Sequence, residues 1–142
     1  MSLLTLRSGD DFFEMGIAIE EDQILSRHGD AYVNVKVQSK GFSGHNDLWV
    51  QAEAMQSFCS ALIKLEKYLQ GEAPLEAISP GELELKVRSV NSRGDLGVVG
   101  TTGYRVQDDG REYWHAVSFG FEFEPAQLSV AVQLPWVKRY AG

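Results

Sequence analysis

Apolar and polar residues alternate with a period of two along most of this chain, and the alternation gives way to helical spacing over one central stretch. A period of two turns successive side chains to opposite faces of a strand, so such a chain must build sheets with one apolar face. Phe13, Met15, Ile17 and Ile19 form one such row. Val33, Val35 and Val37 form another, set against Tyr32, Asn34, Lys36 and Gln38. The pattern predicts two antiparallel strands joined through Glu21 to Asp30, where His28-Gly29-Asp30 supplies turn chemistry. Leu83, Leu85 and Val87 point away from Glu82, Glu84, Lys86 and Arg88, which makes a half-solvated strand.

Leu96, Val98, Thr102, Tyr104 and Val106 continue on one face, with Gly100 interrupting the row as a bend or bulge. Asp109-Gly110 is the strongest hairpin signal, because a two-residue primed turn needs positive φ angles. The returning strand places Tyr113, His115, Val117, Phe119, Phe121 and Phe123 on one face and Trp114, Ala116, Ser118, Gly120, Glu122 and Glu124 on the other. Pro125 breaks the run. Leu128, Val130, Val132 and Leu134 then suggest a last strand, with a helix over 127–140 as the alternative, since short apolar runs are not typed by period alone.

Met55, Phe58, Leu62, Leu65 and Leu69 recur at steps of three and four, the stripe of an amphipathic helix. Its start falls between Asp47 and Ala52, and Leu48-Trp49-Val50 is equally suited to end a strand. Gly71 fits the left-handed residue past its end, and Pro74 prevents continuation. The stretch from Gly71 to Pro80 is too short and apolar to act as a linker between separate domains. The expectation is a single domain over 1–142 of the α+β class: a curved antiparallel sheet of six or seven strands with one central amphipathic helix packed on one face.

Carboxylates outnumber Lys and Arg by 20 to 13, a net charge of -7. That balance disfavours nucleic acid, whose phosphates are bound by displacing counterions with basic side chains, and suits a basic protein partner. No apolar run approaches the roughly 20 residues of a membrane helix, and MSLLTLRSGDD lacks a basic segment followed by a long apolar one, so a cytoplasmic protein is expected, without membrane contact. The single cysteine, Cys59, forms no internal disulfide and agrees with that compartment.

Catalytic and metal-ligating patterns are not found. His28, His45 and His115 lack the four-residue helical spacing of a zinc pair, and His115 falls in the apolar row of its strand, the place of a buried hydrogen-bonded histidine. Cys59 lies beside the helix stripe as an inert thiol. Gly97 to Gly103 lacks the strand-to-helix context and the Lys of a phosphate loop. Arg93-Gly94-Asp95 reads as a segment of a hairpin turn. No cofactor, metal or catalytic residue is assigned. The candidate binding residues are instead Trp114 and Ser118, where a large aromatic stands beside small side chains on an outward face, as in interface hot spots. To them are added the acidic strand ends Glu20, Glu21 and Asp22, and Asp108, Asp109 and Glu112, which would form a negative patch if gathered at one rim of the sheet.

Gly41-Phe42-Ser43-Gly44, Leu48-Trp49-Val50, the helix through Leu69-Gln70-Gly71-Glu72-Ala73, and Pro80-Gly81-Glu82-Leu83-Glu84-Leu85-Lys86-Val87 follow one another in an order that resembles WapI-like bacterial immunity proteins. The likeness covers about a third of the chain closely and the remainder in pattern, while the tail after Pro125 departs from a plain terminal helix. It implies a small cytoplasmic protein that neutralises a toxin domain by binding it, with no catalytic residues to carry over. A small-ligand-binding domain, its apolar cavity containing His115, is the other reading of the same elements, and a homodimer through an edge strand or the outer sheet face fits either.

Overall fold

Tight turns organise the strands into two meanders. The computed structural model describes residues 2–142 and contains β1 (Leu4–Ser8), β2 (Asp11–Ile19), β3 (Ala31–Ser39), β4 (Phe42–Val50), α1 (Ala52–Tyr68), β5 (Glu72–Glu76), β6 (Leu83–Ser89), β7 (Leu96–Asp108), β8 (Arg111–Phe123), α2 (Pro125–Ala131) and α3 (Pro135–Ala141). Strands β1-β2-β3-β4 make one antiparallel sheet and β5-β6-β7-β8 a second. Lys40 and Gly41 join β3 to β4 at φ 52° and 85°, and Asp109 and Gly110 join β7 to β8 at φ 53° and 78°. Two successive positive φ values are the signature of the primed hairpin turn. At the first of these turns the Asp11 carboxylate accepts the Lys40 N–H at 2.9 Å and lies 3.1 Å from Lys40 Nζ. Those donors hold the Asp11 carboxyl below the usual range.

The α+β class is as expected, but the single sheet of six or seven strands is not what forms. β4 runs into α1 rather than pairing with β5, so the second meander starts a new sheet and packs against the first. Ring stacking of Phe13 on Phe119, with centroids 5.5 Å apart and planes at 15°, marks the contact. Gly44 permits the close crossing, since a Cβ there would sit 2.6 Å from Val117. Asn46, buried between the sheets, donates from Nδ2 to Gly103 O at 2.8 Å and to Thr102 Oγ1 at 3.1 Å, while Thr102 donates to Glu82 O at 2.6 Å. One buried cluster draws side chains from both sheets and from all three helices.

The central helix packs Met55, Phe58, Cys59, Leu62 and Leu65 inward. Its first free N–H, on Ala52, is taken by the Asp30 carboxylate at 2.9 Å, a cap supplied from the β2–β3 connection rather than from the helix's own flank. The left-handed residue at its end is Leu69, at φ 55°, and not Gly71. Leu69 donates its N–H to Leu65 O at 2.8 Å, and its side chain packs over Gly94. Gly71, at φ 115°, precedes β5, a short edge strand the sequence pattern did not announce, as it did not announce β1. Gly100 is neither bend nor bulge; it pairs regularly with Leu85 and Phe119 inside β7.

Of the two readings of 127–140, a last strand or a helix, the helical one forms, as two short helices rather than one. Pro125 and Pro135 each stand in the first turn, where their fixed φ suits a helix and their missing N–H costs nothing. Leu128 and Val132, two of the apolar positions that suggested alternation, are also four apart and lie buried, whereas Val130 is 71% exposed. α3 packs on α1 and ties down two distant segments. Trp136 Nε1 donates to Ser2 O at 3.2 Å, and Tyr140 Oη donates to Gly29 O at 2.7 Å. No helix among the described residues is long and apolar enough to cross a membrane.

Candidate partner-binding surface

β7 and β8 outrun their sheet. Their neighbour β6 begins at Leu83, paired with Thr102, so from Tyr104 to Ala116 the two strands and their turn project as a ribbon with no third strand beside them. Every residue of this arm is exposed. Cross-strand pairing puts Tyr104, Val106, Tyr113 and His115 on one face and Arg105, Gln107, Glu112 and Trp114 on the other. Tyr104, Val106, Tyr113 and Trp114 are 43%, 40%, 49% and 45% exposed, a concentration of apolar area that stability alone does not require.

The burial expected of His115 is therefore corrected. The apolar row to which it belongs is the inner face of the sheet, buried at Phe119 and Phe123, and it emerges into solvent once the first sheet no longer lies beneath it. His115 instead tilts against Tyr104, ring centroids 5.8 Å apart. At the base of the arm an open groove of about 150 Å³ is lined by residues that include His45, Asn46, Tyr104 and His115. Small-ligand pockets run to roughly 300–1,000 Å³, so this groove holds little more than a few waters.

Trp114 and Ser118 do share the outward face of β8 with Ala116 and Gly120, all exposed. The indole lies over Gly81 and Gly103: a Cβ at either would come within 3.0 Å of Trp114 Cζ2. Glycine at both positions lets the ring approach the backbone closely, which restricts its orientation while the side chain stays 45% exposed. Ser118 Oγ lies 3.0 Å from Thr101 Oγ1 on the neighbouring strand.

The acidic residues do not gather at one rim of one sheet. Asp108, Asp109 and Glu112 sit at the tip of the arm, with Glu112 4.0 Å from Arg105. Glu20, Glu21 and Asp22 belong to the β2–β3 connection of the other sheet and are largely spent. Glu20 pairs with Arg27 at 2.9 Å, Glu21 takes both ends of the Arg139 guanidinium at 2.6 and 3.2 Å, and Asp22 accepts the Ile24 N–H. The Arg139 hydrogen bonds hold the Glu21 carboxyl below its ordinary value. Arg139→Gln should bring it back up toward the ordinary range, read by a side-chain carbon NMR titration. The pair's contribution to stability is present above the ordinary glutamate pKa and fades as pH falls through the lowered one.

Burial pushes the Cys59 thiol up to about 12, which leaves it protonated and unreactive. Gly97 to Gly103 lies inside β7, and Asn91 Oδ1 accepts the Arg93 N–H in the β6–β7 turn.

No family model, curated protein or solved structure matches this chain. The arm is the feature that sequence reasoning missed as a unit. The alternation of β7 and β8 was plain, and so was the Asp109-Gly110 turn, but the pattern past Thr102 looks the same whether or not a neighbour covers it.

Proposed function

We propose that this chain is a protein-binding domain, an immunity protein of the kind its Gly41 to Val87 stretch resembles, that neutralises a toxin domain by direct contact. The observation that carries the reading is the arm: a ribbon exposed on both faces that spends two tyrosines, a tryptophan and a valine on solvent. Hot spots of protein interfaces favour aromatic side chains held rigidly at low entropy cost, which is how Trp114 is held on Gly81 and Gly103. The carboxylates of the arm tip and the net charge of -7 favour a basic partner. The patch assigned is Trp114, Ser118, Asp108, Asp109 and Glu112; Glu20, Glu21 and Asp22, already paired within the chain, have a lesser role. The ligand-binding alternative draws less support, because His115 stands outside the core and the groove beside it is small.

The test is co-expression of the chain with the C-terminal domain of a large secreted protein encoded immediately upstream, scored by pull-down and growth rescue. A stable complex that restores growth is expected. Trp114→Ala should then weaken it about 30-fold or more, the effect of a hot-spot residue worth about 2 kcal/mol. Unchanged affinity in Trp114→Ala and in a variant with Asp108, Asp109 and Glu112 reversed to Lys would remove the arm as the contact surface.

A further inference from the structure

A sheet edge offers unpaired backbone groups to any passing strand, and folded proteins close such edges. Two sheets have four edges, and three of them here are closed. β1 is five residues long, and Gln127 takes both backbone groups of Arg7, accepting its N–H at 2.6 Å and donating to its carbonyl at 2.9 Å. β5 is equally short, carries Pro74 at its centre and has α1 packed beside it. β4 is bonded at Trp49 O by the Ile78 N–H and crossed at Gly44 to Asn46 by the second sheet.

β8 is different. It is 13 residues long, and from Tyr113 to Phe121 it has no formal charge and no proline. The two-residue turn makes Asp108 and Arg111 a hydrogen-bonded pair, so Arg111, Tyr113, His115 and Val117 spend their backbone groups on β7 while Glu112, Trp114 and Ala116 aim theirs outward. Among the described residues the outer edge of β8 receives one hydrogen bond, from Ser39 Oγ to Gly120 O at 3.5 Å, beyond the arm.

We propose that the edge of β8 between Arg111 and Val117 pairs antiparallel with the same edge of a second copy, about a two-fold axis at Trp114, giving a homodimer joined through the arms. In this register the Glu112 and Ala116 backbones pair across the axis, and Trp114 pairs with itself. Tyr113 stands opposite His115 of the second copy as a non-hydrogen-bonded pair, where side chains approach closest. Each arm tip, with Asp109, ends near Ser118 to Gly120 of the other copy, where Ser39 docks and the exposed Lys40 follows it. Opposite charges thus meet at both ends of the paired segment. Seven paired residues per copy cover less than the roughly 800 Å² of a standard interface, so weak association, about micromolar, is expected. The arm's faces stay open, and the dimer is independent of the toxin reading.

Sedimentation equilibrium of the full chain between about 1 and about 200 µM tests it, with a dimer expected to fill across that range. Ala116→Pro removes an outward N–H without touching the β7 ladder and should weaken association at least tenfold. His115→Lys, which sets a charge against Tyr113, should do the same and serves if the proline variant fails to fold by circular dichroism. Val130→Ser, on α2, should leave the dimer intact. A monomer throughout the range, or a dimer indifferent to both arm variants, overturns the proposal. A monomer that still binds the toxin removes the dimer alone, and a dimer that binds no toxin removes only the immunity reading.

Discussion

Leu62→Asp is expected to abolish the cooperative thermal transition of this protein. Leu62 is fully buried at the middle of α1, within the cluster shared by both sheets. Truncating a buried leucine costs about 2–5 kcal/mol from lost burial and the cavity left behind. The aspartate adds a carboxylate with no cation or donor within the stripe of Met55, Phe58 and Leu65 to satisfy it, and such a group either stays charged at several kcal/mol or takes up a proton. Domains of this size hold about 5–15 kcal/mol in all, so the sum consumes most or all of the stability. Circular dichroism at 222 nm during heating reads the result, with Lys64→Asp, two residues on and exposed, as the control that should melt as wild type does. A cooperative melt of Leu62→Asp near the wild-type temperature would mean that α1 is not packed into the core as described.

Gly100→Ala should be the second most damaging change, although it adds a single methyl group. A Cβ at Gly100 would lie 2.5 Å from Glu84 O, 2.9 Å from Phe119 Cζ and 3.3 Å from Leu85 Cα. Two of those atoms are backbone of β6 and cannot step aside without spreading the strand pair. The third belongs to the ring that stacks on Phe13 and joins the two sheets, so relief in that direction loosens the inter-sheet contact. Overpacking of this kind costs about 1–3 kcal/mol, and the rigid neighbours place this site at the upper end, a fall in Tm of about 10 °C. Gly120→Ala makes the comparison informative. Its nearest atoms stand at 3.5 Å or more, and with less unfolded-state freedom to lose it should be neutral or stabilising. Equal melting temperatures for the two variants would contradict the packing around β7.

The open edge of β8 and the projecting arm have the same physical origin. A strand advertises its faces through side-chain alternation, but whether a neighbour lies beside it is a property of other segments. Val33, Val35 and Val37, or Leu83, Leu85 and Val87, were legible as inward rows because the alternation that predicts them also buries them. His115 and Phe119 obey one alternation, yet one is exposed and the other buried, since the first sheet passes under Phe119 and not under His115. Parity put Trp114 and Ser118 on one face, but whether that face would be exposed or buried by a curl of the sheet was settled only by the fold, which leaves both exposed. Whether Glu20, Glu21 and Asp22 would be free or paired was likewise settled by the fold, because Arg139 reaches Glu21 from 118 positions away.

Local spacing by itself determined the α+β class, the stripe of α1, the Asp109-Gly110 hairpin, the inward rows of β2, β3 and β6, and the inert setting of Cys59. Each depends on neighbours within a few positions, where backbone geometry turns sequence spacing directly into a face. The tertiary structure alone decided that the strands divide into two sheets, that Pro125 and Pro135 open helices where alternation suggested a strand, that Gly100 is a packing necessity, and that an aromatic arm stands clear of the body. Those outcomes turn on which distant segments arrive to fill, cap or leave open a given surface, and that competition is settled by packing between elements.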